Sequence, residues 1–180
     1  MKHFYGSIKG NMTFPQYYQW LVEQMPVDRH SCGIEIGVQF GASAACLGVE
    51  IINSGKDVAL DLIDICPRSN FMDNLQPIIS VIRNIYDGHD SIEAAKLYED
   101  GSLDFVFIDT THGYEPTKKE IEVWLPKMKK GAIMSGHDFN PKYYPGLCQA
   151  VIESFPEFNV IRCERWGEQQ EYFPVWMRRI

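Results

Sequence analysis

At 180 residues, with 45% hydrophobic, 13% aromatic and 23% charged side chains, the chain has the make-up of one globular domain; folding at this size buries roughly 70% of the unfolded surface, so no staple is needed. Seventeen basic residues against 24 acidic give a net charge of −7 and no basic stretch to neutralise a row of phosphates, which argues against a nucleic-acid partner. The five cysteines, Cys32, Cys46, Cys66, Cys148 and Cys163, include no C-x-x-C pair, so reduced thiols are expected rather than a disulfide framework or a zinc ribbon.

In chain order, residues 1–6 lack the apolar core of a signal peptide, and no run of about 18 apolar residues follows; a cytoplasmic protein without a membrane partner is expected. Phe14, Tyr17, Tyr18, Leu21 and Met25 recur at helical spacing, predicting a lead-in helix over 13–25, within a lead-in of residues 1–29, capped by Thr13. Residues 33–38 and 42–52 read as strand, turn and helix, and 58–64 as a second strand. A helix over 67–79, a third strand over 82–86 and a helix over 91–99 follow. Residues 105–109 are apolar on both faces, as in a central parallel strand covered by helices. From Pro116, residues Ile121, Trp124, Leu125 and Met128 continue a helix whose last turn Pro126 is expected to kink. A fifth strand over 132–135, a helix over 147–155 and late strands over 159–163 and 172–177 complete the chain. The alternation predicts a single α/β domain over 1–180, with a doubly wound sheet in its 30–180 core closed by a late hairpin.

In such sheets ligands bind beyond the carboxyl ends of the strands, where the winding reverses. The strand ends supply Glu35-x-Gly37-x-x-x-Gly41, then Asp64, His89-Asp90-Ser91, Asp109-Thr110-Thr111-His112 and Gly136-His137-Asp138. Gln39 stands where a dinucleotide fingerprint needs its second glycine, so a pyrophosphate ligand is disfavoured. A ligand with an amino-acid end, such as S-adenosylmethionine (SAM), suits Glu35 and the amides around Gly37 and Gly41; the competing reading is a glycine turn needed only for packing. Asp64 is placed to accept from both hydroxyls of a ribose, with Asp61 as its competitor. Asp90 is a candidate acceptor for an adenine amino group with Ser91 beside it, although helix capping by either explains them equally.

The run Phe107-Ile108-Asp109-Thr110-Thr111-His112-Gly113-Tyr114-Glu115, then Ile121-Glu122-x-Trp124-Leu125-Pro126-Lys127, Lys130-Gly131 and Gly136-His137-Asp138-Phe139, resembles a signature of class I SAM-dependent methyltransferases. The nearest group is that of small enzymes resembling sugar, macrolide and cephalosporin-pathway O-methyltransferases, and the resemblance covers roughly residues 30–155. It implies a Rossmann-like, mostly parallel seven-stranded sheet with the last strand antiparallel. It also puts Glu35, Gly37, Gly41, Asp64 and Asp90 around the cofactor, with Asp109 at its reacting end; Ser91, next to Asp90, is a cofactor candidate from its position alone. Metal-dependent relatives hold a divalent ion at the positions of Asp109, His137 and Asp138. The expected ion is magnesium or manganese; the histidine departs from the all-oxygen set that magnesium prefers, which either counts against a metal or points towards a transition ion.

Two devices for removing a hydroxyl proton follow: a metal on Asp109 and Asp138, favoured because two converging carboxylates repel without a cation, or His112 or His137 as general base. The bland readings are a loop histidine for His112 and, for His137, a residue that orients Asp138. Tyr5, Tyr114, Phe139, Tyr143 and Tyr144 are candidates for an aromatic wall over a small hydroxylated substrate, with packing as the commoner explanation. Trp166, Tyr172, Phe173 and Trp176 suit either a homo-oligomer interface or the hairpin core. The rivals are a nucleotide-binding oxidoreductase, a metal-dependent hydrolase and a non-catalytic binding protein of the same fold.

Overall fold

The computed structural model describes residues 1–10, 12–162 and 174–180. Helix α1 (Pro15–Glu23) precedes strand β1 (Ser31–Ile36), helix α2 (Ala42–Ser54) and strand β2 (Val58–Asp64). Then come α3 (Phe71–Leu75), β3 (Ile82–Asp87), α4 (Ser91–Ala94), β4 (Leu103–Ile108), α5 (Tyr114–Trp124), β5 (Met128–Gly136), α6 (Pro145–Ser154), β6 (Asn159–Ile161) and β7 (Val175–Arg179). The strands form one sheet in the order β3-β2-β1-β4-β5-β7-β6, parallel from β1 to β5, with β7 antiparallel to both neighbours. The expected fold class is therefore observed, and the winding reverses between β1 and β4.

Alternation along the strands feeds two cores, one on each face. Phe105 and Phe107 of β4 join Leu60 and Leu62 against Phe14, Tyr18 and the α2 face, while Val106 and Ile108 join Ile34 and Ile36 against Ile121, Trp124 and Val151. All six β4 residues are buried, as a strand covered on both sides requires. Trp176 is buried with its ring centroid 6.0 Å from that of Phe155, so it serves the core beneath α6. Trp166, Tyr172, Phe173, Cys163 and the start of the predicted final strand lie outside the described residues.

Helices fall short of their sequence spans where a side chain is wanted elsewhere. The helix expected over 91–99 gives way after Ala94 to a 3₁₀ turn, Ala95–Leu97, and Tyr98 donates to Asp61 at 2.6 Å. Asp61 is fully buried within β2 and also takes Arg83 Nε at 3.0 Å, Arg83 Nη2 at 2.6 Å and Asn84 at 3.1 Å. That set of donors occupies the carboxylate completely, so Asp61 ties β2 to β3 and does not compete with Asp64. Stripping Arg83 of its charge leaves a buried anion short of a partner. Arg83→Met is expected to cost about 3 kcal/mol, read as a lower urea midpoint at unchanged slope.

Candidate active site

The cleft lies along the carboxyl ends of β1, β2, β4 and β5, and the turn after β1 forms its floor. Gly37 has φ +89°, and a Cβ there would stand 1.9 Å from the Asp109 carbonyl oxygen, so only glycine lets β1 and β4 close at the reversal point. Gln39 also adopts a left-handed backbone, φ +49°, which aims its N–H at Asp64 Oδ2 at 2.7 Å. Cys66 N–H donates to Asp64 Oδ1 at 2.7 Å. Two amides thus fix the Asp64 carboxylate at the wall of a cavity of about 290 Å³ that also reaches His89, Asp90, Ser91 and Asp109. Gly37, Gln39, Asp109 and Thr110 line this lobe and a second one of about 250 Å³, which takes in Lys9, Thr13, Ser43, His112, His137, Asp138 and Tyr144. The lobes are of small-molecule scale.

The remaining expected cofactor residues divide. Gly41, φ +86°, starts α2 immediately below the cleft. Glu35 is fully buried under the turn, accepts from the Ser43 hydroxyl and lines neither lobe; its Oε2 has no hydrogen-bond partner among the described residues. Burial pushes its acid up to about 8, with the Ser43 bond opposing and the Asp109 charge adding. Asp90 is the cap of α4, its Oδ1 accepting from Ile92 N–H at 2.9 Å and Glu93 N–H at 3.2 Å. Ser91 is not the cap. It donates instead to Glu120 Oε1, whose other oxygen accepts from Thr110 at 2.6 Å.

The second lobe holds the acid–histidine cluster. Asp109 follows β4, and His137 and Asp138 follow β5; their ligating atoms all lie within 4.8 Å of one another. His137 Nδ1 stands 3.2 Å from Asp138 Oδ1 and 3.8 Å from Asp109 Oδ2, and its Nε2 stands 3.1 Å from the Thr13 hydroxyl. The imidazole packs on Phe14, ring centroids 4.5 Å apart. His112 Nε2 is 2.6 Å from Asp138 Oδ2, and its ring stacks on Tyr144 at 4.0 Å. Asp138 holds a left-handed backbone, φ +63°, a conformation costly to a residue with a side chain and tolerated best by Asp and Asn. Burial pushes the Asp109 acid up to about 6, with His137 opposing and Asp138 adding, although a quarter of the side chain still meets solvent through the cleft. Burial would raise Asp138 too, but the His137 and His112 contacts hold it below its usual range.

Three features escaped the sequence. Thr13 is not a cap: Phe14 occupies that position without a side-chain bond, and the Thr13 hydroxyl meets His137 from 124 residues away. Gln39 acts through its backbone and Lys9 reaches the cleft from the segment before α1, neither of which residue type could signal. Of the expected aromatic wall only Tyr144 lines the cleft; Tyr114 bonds Glu153 at 2.6 Å and Phe139 packs on Phe158 at 5.2 Å.

Comparison with known proteins now bears on this geometry. A protein from Klebsiella pneumoniae, assigned as an O-methyltransferase, shares the fold at a TM-score of 0.69 and 15% identity, over 95% of this chain and 82% of that one. An rRNA methylase from Streptococcus thermophilus matches at 0.65 and 11%, over 93% and 95%. A Streptococcus mutans protein assigned as a methyltransferase and solved in complex with SAH matches at 0.64 and 11%, over 95% and 99%. Among curated proteins no sequence match was found. The family model described as "Methyltransferase domain" matches residues 34–139, from within β1 to just beyond the Asp138 turn. That match spans more than half of the sequence and encloses the whole cleft floor from Glu35 to Asp138, so the chain belongs to this methyltransferase family, on the class I SAM-dependent fold.

Proposed function

We propose that the chain moves the methyl group of SAM to a hydroxyl of a small molecule, with the 290 Å³ lobe taking the cofactor and the 250 Å³ lobe the acceptor. The observation that carries this is the shared wall: Gly37 and Asp109 border both lobes, so groups bound on either side meet where the acid–histidine cluster begins. SAM supplies an activated methyl on a sulfonium. Asp64, fixed by two amides, accepts from the ribose; the Gly37 turn lets the ligand approach the backbone; and Asp109 offers a carboxylate near the cationic end. The side chains of the second lobe hold the acceptor in line and draw off its proton, an arrangement worth several orders of magnitude in rate. The acid surface and the size of the lobe support a small acceptor over RNA.

A divalent ion fits the cluster. Adjacent donors around an ion bound at about 2.1 Å stand about 3 Å apart, close to the 3.2 Å between His137 Nδ1 and Asp138 Oδ1. His137 has its other nitrogen against the Thr13 hydroxyl and Asp138 has its other oxygen against His112, the outer partners that metal ligands usually have. Asp109, His137 and Asp138 would hold the ion, and its charge would lower the pKa of a hydroxyl bound beside it. One observation favours a second reading: His112, paired with Asp138 at 2.6 Å and stacked on Tyr144, is built as an oriented base.

Calorimetric titration with SAM or SAH tests the cofactor assignment. Asp64→Ala is expected to weaken binding about 10-fold or more, since a hydrogen bond to a charged acceptor is worth roughly 1.5–3 kcal/mol. Affinity unchanged by the substitution removes Asp64 from the site, and preference for a nicotinamide nucleotide over SAM overturns the reading.

A further inference from the structure

At the opposite end of the sheet, four side chains that the methyltransferase cleft does not use form one connected group. Cys32 is the second residue of β1, and its Sγ lies 3.3 Å from His30 Nε2. The other nitrogen of that ring, Nδ1, lies 2.9 Å from Asp57 Oδ1, just before β2. Arg83 of β3 completes the group, its Nη1 donating to Sγ at 3.2 Å while its other nitrogens hold Asp61. A thiol in reach of a base, the base oriented by a carboxylate and a fixed cation at the sulfur are the parts of an activated nucleophile. The Asp61 bonds anchor the guanidinium, so its position does not depend on the thiol.

We propose that Cys32 is a modification site, a thiol set up to be oxidised by hydroperoxides with His30 as its base. The Cys32 sulfur attacks one peroxide oxygen; an S–O bond forms as the O–O bond breaks. The thiol proton passes to His30 Nε2 and on to the departing hydroxide, leaving a sulfenic acid and, from hydrogen peroxide, water. Sulfur is oxidised by two electrons and the peroxide reduced by two. Asp57 holds the imidazole with one nitrogen towards the thiol, and Arg83 balances the negative charge that builds on sulfur.

Exposure alone ranks the thiols differently. Cys46 and Cys148 are buried, Cys32 is half-buried and Cys66 is exposed at the cofactor lobe. No histidine or arginine bonds to Cys66 Sγ among the described residues, so if access decides, Cys66 reacts first, and if the relay decides, Cys32 does. Cys32 also lies about 16 Å from Gly37 along β1, five residues at roughly 3.3 Å each, so its reaction is separable from cofactor binding.

The full-length protein is treated at pH 7 with limiting iodoacetamide, and separately with hydrogen peroxide and dimedone, and each cysteine peptide is quantified by mass spectrometry. Cys32 is expected to be alkylated, and to take the dimedone that marks a sulfenic acid, about 10-fold faster than Cys66. His30→Gln, a change at an exposed side chain that keeps hydrogen bonding but no base, is expected to slow Cys32 about 10-fold or more and leave Cys66 unchanged; Asp57→Asn is expected to act in the same direction and more weakly. Cys66 reacting ahead of Cys32, equal Cys32 rates in wild type and His30→Gln, or alkylation of Cys32 without a dimedone adduct each overturn the proposal.

Discussion

Excess chelator is expected to stop methyl transfer, and Asp109→Asn and Asp138→Asn each to lower kcat, measured at saturating SAM, by about 10²-fold or more. Asp138 helps to raise Asp109, a cost that a bound cation reverses and that neither carboxamide variant retains. Removing either charge takes away one of the two carboxylates that face His137 among the described residues and leaves the acceptor hydroxyl without its activating partner. The pH profile does not by itself separate metal from base: ionisation of Asp109, pushed up to about 6, gives a limb that rises with pH under either reading. The separating variant is His112→Ala. As an outer partner of Asp138, His112 is worth about 10- to 100-fold in metal affinity, and added metal restores its loss. As a base, its loss persists at any metal concentration. His137→Ala is expected to change which ion supports turnover, because it removes the only nitrogen donor of the three. Full activity in excess chelator, with wild-type rates in both carboxamide variants, would falsify the metal reading.

What the sequence revealed and what it hid divide along the range of the interactions concerned. The sheet was legible because alternation and apolar runs are local: Phe105 to Ile108 must be covered on both faces, and they are. Asp109, His137 and Asp138 were legible as a cluster because parallel strand ends bring polar groups to one edge of the sheet, and the family resemblance picked these three out of that set. Partners were not legible. Thr13 carries the residue type of a helix cap, and nothing nearby in sequence announces a histidine 124 positions on. His112 and Asp138 each looked like a candidate by itself, whereas the 2.6 Å contact between them makes each the orienting group of the other. Asp61 and Asp64 sit three apart on one strand; burial and four bonds from three side chains commit the first to the core, and two turn amides commit the second to the cleft. Asp90 and Ser91 show the same limit, since either could cap α4 and only the position of Glu120 decides which does.

Glu35→Gln is expected to stabilise the protein at alkaline pH and to leave it nearly unchanged in acid. The Glu35 acid is pushed from about 4.5 to about 8, chiefly by burial, with the Ser43 and Tyr18 hydroxyls pulling the other way; by distance its Oε2 makes no hydrogen bond among the described residues. An acid raised on folding binds its proton more tightly in the native state than in the unfolded chain. The stability linked to that proton is therefore complete below about 4.5 and is lost as pH climbs to about 8. At roughly 1.4 kcal/mol per pH unit, the whole shift amounts to about 5 kcal/mol, of which about 1.5 kcal/mol falls between pH 6.5 and 8. Asp109 loses its linked stability over a lower window, from about 3.8 to about 6, so the interval above 6.5 reports Glu35 with little contribution from it. Glutamine keeps the shape and a neutral oxygen for the Ser43 hydroxyl, and it cannot ionise. Urea unfolding at pH 5, 6.5 and 8 should show wild type losing stability across the upper interval and Glu35→Gln holding level, the two differing by less than about 1 kcal/mol at pH 5. Parallel slopes in both proteins would mean that Glu35 is already ionised beneath the turn, with a partner other than the Ser43 hydroxyl holding its charge.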